Sequence, residues 1–283
     1  MFSRKILLEV MIFKTLGLGG GGIKGILHVG ALLELSKHQP LKFDKIYGCS
    51  IGSIIATYVA FELPINNIVP LLKEYMDMDK FVPKFKLQHI PTAISAKGLY
   101  DMDMFESTLK EMFLKVGLDI KDKKISDAKM PLYIVASNIT KGTPTVFSND
   151  ILLIDAIKCS CCIPAVFRPC ELYGQLYVDG AWFSPCISSV IPAAKDNLIM
   201  TLDKQRKTSI TPSSIESMSP LTYLSELYVM AFDLFHNAQM KQDTLKLKYP
   251  GLHSDSDISK FDIPDILKHS GKSLNHFISK FLL

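Results

Sequence analysis

The chain has 283 residues, 48% hydrophobic and 21% charged, with a net charge of +4 and a pI near 8.6. Chains of this length bury about 75% of their unfolded surface, enough for one large domain or two small ones without staples. The composition excludes collagen-like, disordered and repeat architectures. A mild positive charge without an aromatic-interleaved basic tract makes no case for nucleic acid, and no apolar run approaches the roughly 20 residues of a transmembrane span.

Arg4 and Lys5 ahead of Ile6-Leu7-Leu8 imitate a signal peptide, but Glu9 interrupts the run and no small-residue cleavage site follows. The segment reads as a surface strand or frayed tail, with Met11 as an alternative start. Residues 12–18 read as a buried strand, followed by the glycine run Gly19 to Gly22. Residues 23–38 then read as a helix ending before Pro40, residues 44–48 as a second strand, and residues 51–61 as a second helix cut off before Pro64. A further helix is expected over 65–78 and a loop or lid over 80–96.

Asp101 is expected to cap a helix with the apolar face Phe105, Leu109, Met112, Phe113 and Val116, stopped by Gly117. Strands are expected at 132–136, 143–147 and 172–178, with a last one at 198–202. Residues 203–219 read as a linker, and 221–240 as an amphipathic helix with Leu224, Leu227, Tyr228, Ala231 and Phe235 on one face. A terminal helix carries Leu274, Phe277, Ile278, Phe281 and Leu282; packing on the body is expected of it rather than membrane docking. The alternation of strands and helices indicates an α/β body over 12–202 and a helical extension over 203–283.

The six cysteines are Cys49, Cys159, Cys161, Cys162, Cys170 and Cys186. Their spacing is no disulfide framework, and the single C-x-x-C of Cys159 and Cys162 lacks a second pair or a His for zinc. They read as small buried thiols in a reducing compartment, which places the protein inside a cell, in the cytoplasm or peripheral to a membrane. No His, Cys or carboxylate set has metal-ligand spacing.

Three constellations carry chemistry. Gly48-Cys49-Ser50-Ile51-Gly52 is a G-x-S-x-G between a strand and a helix, the arrangement that lifts a serine hydroxyl clear of the backbone. The plain alternative is a serine helix cap. Gly20-Gly21-Gly22-Ile23-Lys24-Gly25 lets backbone N–H groups approach an anion at a helix start. This stretch also satisfies G-x-G-x-x-G, as does Gly17 to Gly22, so a dinucleotide-binding oxidoreductase is a competing reading. Its weakness is that no acid closes the second strand, Asp44 lying at that strand's start. Asp179-Gly180 ends a strand-like run; it offers a carboxylate base, or simply a hairpin turn.

Taken together and in order, Gly20-Gly21-Gly22-Ile23-Lys24-Gly25, Gly48-Cys49-Ser50-Ile51-Gly52 and Asp179-Gly180-Ala181 resemble the patatin-like phospholipase family, whose signatures are G-G-G-x-[K/R]-G, G-x-S-x-G and D-G-[G/A]. Residues 156–167, with Ser160, Ile163-Pro164 and Phe167, resemble the segment that family carries before its aspartate strand. The resemblance covers about 12–202. It implies a three-layer α/β fold with a mostly parallel sheet between helices, and lipid acyl-ester hydrolysis by a Ser–Asp dyad. By position it makes Ser50 the nucleophile and Asp179 the base, with Gly20, Gly21 and Gly22 as the oxyanion hole. Lys24, Gly25, Gly48, Gly52 and Gly180 are the supporting motif residues. It implies no cofactor and no metal, and a lipid substrate met at a membrane surface. Lys24 replaces the family's frequent arginine, Ala181 its frequent second glycine, and Cys159 and Cys161 flank Ser160 where small residues are usual.

A Ser-His-Asp triad would need a histidine. His28 reads as a packing residue, while His236, His253 and His269 follow Asp179 in the order of ordinary α/β-hydrolases. The serine comes too early for that fold, after a single strand–helix unit. Lys80, Lys84 and Lys86 interleave with Phe81, Val82, Phe85 and Leu87. That pattern suits either an interfacial loop or, the favoured reading, a solvated loop with core anchors. A catalytically silent lipid-binding module is the third class, against which the intact Ser50 and Asp179 count.

Overall fold

Short, unbroken apolar runs make strands buried on both faces, and such strands build the body of the protein. The computed structural model describes residues 12–75, 97–203, 210–240, 244–253 and 256–281. The strands are β1 (Thr15–Leu18), β2 (Lys45–Cys49), β3 (Gly98–Tyr100), β4 (Leu132–Asn138), β5 (Thr143–Phe147), β6 (Ala165–Phe167), β7 (Cys170–Leu172), β8 (Gln175–Asp179), β9 (Asn197–Leu202) and β10 (Thr244–Leu247). The helices are α1 (Ile26–Leu35), α2 (Ile51–Ala60), α3 (Ile68–Tyr75), α4 (Asp103–Leu114), α5 (Leu153–Cys161), α6 (Pro220–Gln239) and α7 (Ile263–Phe281).

The main sheet runs β10-β9-β1-β2-β4-β8-β7, with β5 paired to β4. The five strands from β10 to β4 are mutually parallel; β5, β7 and β8 run antiparallel to their neighbours. The fold is therefore α/β with a mostly parallel central sheet and helices, as expected. Alternate residues of the central strands serve two faces. Leu16, Leu18, Ile46 and Ile134 enter the larger core with α1 and α2, while Tyr47, Cys49, Val135 and Ile199 form a smaller one against Ile187 and Ile191. Each fully buried aliphatic side chain contributes roughly 1.5–3 kcal/mol.

Several boundaries differ from the sequence reading, for local reasons. Residues 12–14 precede β1, and a 3₁₀ turn (Gly22–Gly25) comes between the glycine run and α1. Asp101 does not cap α4 through the N-cap position, which Met102 holds; its carboxylate accepts the Asp103 N–H at 3.2 Å. The run at 172–178 is a β7–β8 hairpin turning at Tyr173 and Gly174, both at positive φ. After residue 203 the sequence reading missed β10, which extends the sheet beside β9. The apolar face assigned to α6 is open: Leu224 is 60% exposed, and Leu227 and Phe235 are exposed as well. By contrast α7 buries Leu274 and Ile278 and packs Phe277 against the core. It crosses α1 so closely that a Cβ on Gly30 would lie 2.0 Å from the Ser270 Oγ and 2.7 Å from the Leu267 carbonyl oxygen. The N-terminal segment, the loop with Phe81, Phe85 and its lysines, and Leu282 lie outside the described residues.

Two features tie β1 to its neighbours. The α2 N-terminus is pressed onto the end of β1, where a Cβ on Gly52 would meet the Leu18 carbonyl oxygen at 2.1 Å. Buried His28 on α1 bonds the Gly19 carbonyl oxygen through Nε2 at 2.9 Å. Burial lowers its pKa to about 4, partly opposed by that bond, so the ring is neutral and Nε2–H donates.

Gly52→Ala should destabilise by about 3 kcal/mol or more, because backbone cannot yield as a side chain does. Gly142→Ala, at φ 70° with nothing near its missing Cβ, should cost only about 1–2 kcal/mol. Urea unfolding of both variants checks the contrast, and equal losses would refute it. His28 gives a second prediction. Unfolded, it takes its proton near pH 6.5; folded, it stays neutral down to about 4. Its stabilisation is complete above 6.5 and is lost as pH falls toward 4, by roughly 3 kcal/mol in all. His28→Gln should therefore lose markedly less stability than the unaltered protein between pH 7 and 4.5; parallel curves would contradict this.

Candidate active site

Two of the three motifs meet on one edge of β4. Val135 pairs with Val146 of β5 on one side and Cys49 of β2 on the other; Ala136 pairs with Thr145 of β5 and with Asp179 of β8. Since β5 occupies one edge from Ile134 to Asn138, β2 and β8 share the opposite edge, with their C-terminal ends at consecutive residues of β4. Ser50 follows Cys49, so the turn bearing the serine and the strand end bearing the aspartate abut. A Cβ on Gly180 would lie 2.2 Å from the Val135 carbonyl oxygen and 2.8 Å from the Cys49 Sγ, and so only glycine fits after Asp179.

Ser50 sits at φ 53°, ψ −130°, outside the conformations an L-residue adopts freely, at a cost of about 1–3 kcal/mol. Surrounding groups hold it there. Its N–H donates to the Ser160 Oγ at 2.9 Å, and that hydroxyl donates to the Val135 carbonyl oxygen at 2.6 Å. Its carbonyl oxygen accepts from the Ser53 N–H at 2.7 Å and the Ser53 hydroxyl at 2.6 Å. Ser50 occupies the N-cap position of α2, but its side chain makes no capping bond, so the plain cap reading of this serine does not describe it. A Cβ on Gly48 would come within 2.5 Å of the Ser53 Cα, which is why the strand-to-helix turn requires glycine there.

Asp179 is buried at 7% exposure. Its N–H donates to the Cys162 carbonyl oxygen at 2.8 Å, and its Oδ1 accepts the Ala181 N–H at 2.8 Å, starting a 3₁₀ turn at Gly180–Trp182. The Ser137 hydroxyl donates to the Gly180 carbonyl oxygen at 3.2 Å and accepts the Phe183 N–H at 3.0 Å. The Asp-Gly pair is thus a strand-to-3₁₀ junction and no hairpin turn. Cys161, one residue from the Cys162 carbonyl, is buried between Ser53 and Asp179, and its thiol is pushed well up by burial and then by the nearby carboxylate.

The glycine loop closes the third side. A Cβ on Gly20 would touch the Ser50 Cβ at 3.0 Å and the Ala181 Cβ at 3.5 Å, placing the loop against both other motifs. Gly21 lies against Leu202, and Gly22 at φ 57° opens the 3₁₀ turn, whose first N–H groups have no partner within it. A Cβ on Gly25 would strike the Ile51 Cγ1 at 2.4 Å. Buried Lys24 reaches the Asp203 carbonyl oxygen at 2.9 Å and so ties the loop to the end of β9.

Three of the candidate histidines have partners of their own. His28 bonds the Gly19 carbonyl, His236 Nδ1 lies 2.7 Å from the Pro185 carbonyl oxygen, and the His269 ring meets the edge of Tyr249 at 5.4 Å. Ser137 was not singled out in the sequence, since a buried serine on a strand carries no signal of its own. Among the described residues no group of His, Cys, Asp and Glu is placed to hold a metal ion, and no helix is long and apolar enough to cross a membrane.

A hydroxyl on a strained turn, a carboxylate at the adjoining strand end and a glycine loop facing both form an arrangement suited to nucleophilic attack on a carbonyl. Comparison with known proteins bears on the family of the chain. The chain is 31% identical over 173 residues to the uncharacterized protein R571 of Acanthamoeba polyphaga mimivirus, spanning 59% of this chain and 57% of that one. It is 28% identical over 194 residues to the probable lipid hydrolase 463L of Invertebrate iridescent virus 6, spanning 61% of each. It is 28% identical over 146 residues to the cUMP-AMP-activated phospholipase of Escherichia coli, spanning 50% of this chain and 39% of the relative. These matches thus extend over less than two thirds of each relative's length. In fold, VipD from Legionella pneumophila superposes with a TM-score of 0.56 at 13% identity, over 95% of this chain and 67% of that one. ExoU of Pseudomonas aeruginosa, solved with SpcU, gives a TM-score of 0.51 at 15% identity, over 95% of this chain and 53% of that one. The family model for patatin-like phospholipase matches residues 16–193, from β1 past the Asp179 turn, and the chain belongs to the patatin-like phospholipase family.

Proposed function

We propose that this chain is a lipid hydrolase that cleaves acyl esters through a Ser50–Asp179 dyad and an acyl-enzyme intermediate. The observation that carries the reading is the abutment of the two strand ends, Cys49 and Asp179, on consecutive residues of one edge of β4. In the reaction the Ser50 hydroxyl attacks the acyl carbonyl carbon while Asp179 takes its proton. The tetrahedral oxyanion is met by N–H groups of Gly20, Gly21 and Gly22, where one good donor is worth about 10²–10³ in rate. The carbonyl re-forms as the alcohol leaves with the proton from Asp179, and water then releases the acid by the same route. An aspartate is a weak base, so fixed geometry and oxyanion stabilisation must supply most of the acceleration. The Ser160 and Ser53 bonds to the Ser50 backbone serve that geometry. No cofactor enters this scheme.

We propose that the substrate is a lipid met at a membrane surface, with the protein bound peripherally. Helix α6 supports this. Its C-terminal end is tied beside the Asp179 turn: the Gln239 Nε2 donates to the Phe183 carbonyl oxygen at 3.1 Å, and the Ser188 hydroxyl to the Gln239 carbonyl oxygen at 2.9 Å. Near that end Leu234 is 71% and Phe235 44% exposed, with Trp182 exposed on the turn itself.

With a soluble ester, Ser50→Ala and Asp179→Asn should each lower kcat by about 10³ or more in folded protein, as circular dichroism would establish. His28→Gln, His236→Gln, His253→Gln and His269→Gln should each retain substantial activity. A single histidine variant as impaired as Ser50→Ala would replace the dyad with a triad. For the membrane reading, Leu234→Asp with Phe235→Asp should weaken sedimentation with phosphatidylcholine vesicles at least tenfold and spare soluble-ester hydrolysis. Equal loss of both would indicate a folding role and refute the docking.

A further inference from the structure

The strain at Ser50 has a direction. Around the Cα–C bond of any L-residue, N and Cβ stand a third of a turn apart. A ψ of −130° therefore carries the next peptide nitrogen, that of Ile51, almost into eclipse with the Ser50 Cβ. At the helical ψ of about −42° it would be turned well clear. The strained backbone thus sets the Ile51 N–H beside the bond that bears the Ser50 hydroxyl.

That N–H is uncommitted. Ile51 is the first residue of α2, where an intrahelical acceptor does not exist, and no described group accepts its proton. Its neighbours along the chain are engaged. The Ser50 N–H donates to the Ser160 Oγ at 2.9 Å, and the Ser53 N–H to the Ser50 carbonyl oxygen at 2.7 Å. Gly52 is pressed onto β1, where a Cβ would lie 2.1 Å from the Leu18 and 2.8 Å from the Gly19 carbonyl oxygen. The Ser50 hydroxyl, on a residue only 9% exposed, neither caps this helix start nor bonds another described group. The glycine loop borders the same point: a Cβ on Gly20 would lie 3.0 Å from the Ser50 Cβ, and one on Gly25 would strike the Ile51 Cγ1 at 2.4 Å.

We propose that the Ile51 N–H is a further oxyanion donor of the hydrolysis, and that Ser160 is the positioning residue that aims it. Once the Ser50 Oγ bonds the acyl carbon, the oxyanion lies one atom beyond that oxygen. The glycine loop meets it from across the site, and the serine turn meets it with its own next N–H. The elbow of α/β-hydrolases, a different fold, uses an N–H in that same place after its nucleophile. Ser160 acts through Ser50. Its buried hydroxyl accepts the Ser50 N–H and donates to the Val135 carbonyl oxygen at 2.6 Å, which pins the turn to β4. Without that bond the turn relaxes toward ordinary angles, and any relaxation of ψ swings the Ile51 N–H away from the oxyanion. The cost of the strained conformation is thereby tied to the chemistry it permits.

The donor role rests on Ser50 as the proposed nucleophile, and the test separates the two. Replacing Ile51 by its α-hydroxy acid turns the N–H into an ester oxygen and keeps the side chain. Because this N–H makes no helix bond, the protein should fold, as circular dichroism would show. With a soluble ester, kcat should fall about 10²–10³-fold at nearly unchanged KM. The Ki of an alkyl trifluoromethyl ketone, which forms a tetrahedral adduct with a serine hydroxyl, should rise by the factor that kcat/KM falls. The ester also weakens the Ser50 carbonyl as an acceptor. Ser53→Ala removes one of the two bonds to that oxygen and should cost clearly less. Ser160→Ala should lower kcat about tenfold or more without raising KM, and Ser160→Thr, which keeps the hydroxyl, should recover most of the loss. Where a Ser160 variant fails to fold, the α-hydroxy acid of serine at position 50, which removes the other end of that bond, should give the same loss. An unchanged kcat or ketone Ki in the Ile51 ester, or a loss no larger than that of Ser53→Ala, would overturn the donor. Full kcat in Ser160→Ala, or in the position 50 ester, would overturn the positioning role. Hydrolysis that survives Ser50→Ala would overturn the proposed function together with the donor, whereas hydrolysis lost in Ser50→Ala but intact in the Ile51 ester would remove the donor alone.

Discussion

The arrangement of the whole site depends on how one edge of β4 is shared. The strand carries β5 along one side and divides the other between β2 and β8. A parallel strand and an antiparallel one therefore meet with their C-terminal ends together. Such a meeting leaves little room, and the sequence answers with glycine. A Cβ on Gly180 would enter the Val135 carbonyl, one on Gly52 the Leu18 carbonyl, and one on Gly48 the helix start at Ser53. Hydrophobic burial holds the sheet together, but these backbone approaches set the distance between the serine turn and the aspartate strand. The motif glycines are thus steric requirements of the junction as well as neighbours of the proposed chemistry.

Strain and its compensation form the second layer. Ser50 is held in an unfavourable backbone conformation by bonds to both of its peptide groups, from Ser160 on one side and Ser53 on the other. Ser160 also bonds the Val135 carbonyl, so a single hydroxyl links α5, β4 and the serine turn. With its backbone satisfied in this way, the Ser50 side chain is not needed as a helix cap. Ser137 plays the corresponding part beyond Asp179, holding the turn through Gly180 and Phe183. Two buried serines on neighbouring elements thereby fix the two residues to which the proposed reaction assigns its steps.

Much of this was legible in the sequence where a local rule governs. The strands around the motifs follow from unbroken apolar runs, and both the glycine loop and the G-x-S-x-G were placed correctly between strand and helix. The competing dinucleotide reading rested on the same glycines, and the family match absorbs them. Long-range pairing decided the rest. β10 has only four residues, one of them Lys246, and becomes a strand because β9 offers it an edge. Helix α6 has an apolar face by periodicity, yet Leu224, Leu227 and Phe235 stay exposed, because amphipathicity states what a face would bury, not whether a partner exists. No spacing rule announces Ser137 either, whose importance lies in which two backbone groups it bridges.

The central claim is that the Ser50 hydroxyl is the reacting group at this junction. The most direct measurement is covalent: folded protein is incubated with a fluorophosphonate, digested, and the phosphonylated peptide sequenced by mass spectrometry. A single adduct on Ser50, approaching one per chain and absent when Asp179 is replaced by Asn, is the predicted result. A label on any other serine, or none on folded protein that hydrolyses a lipid ester, would contradict it.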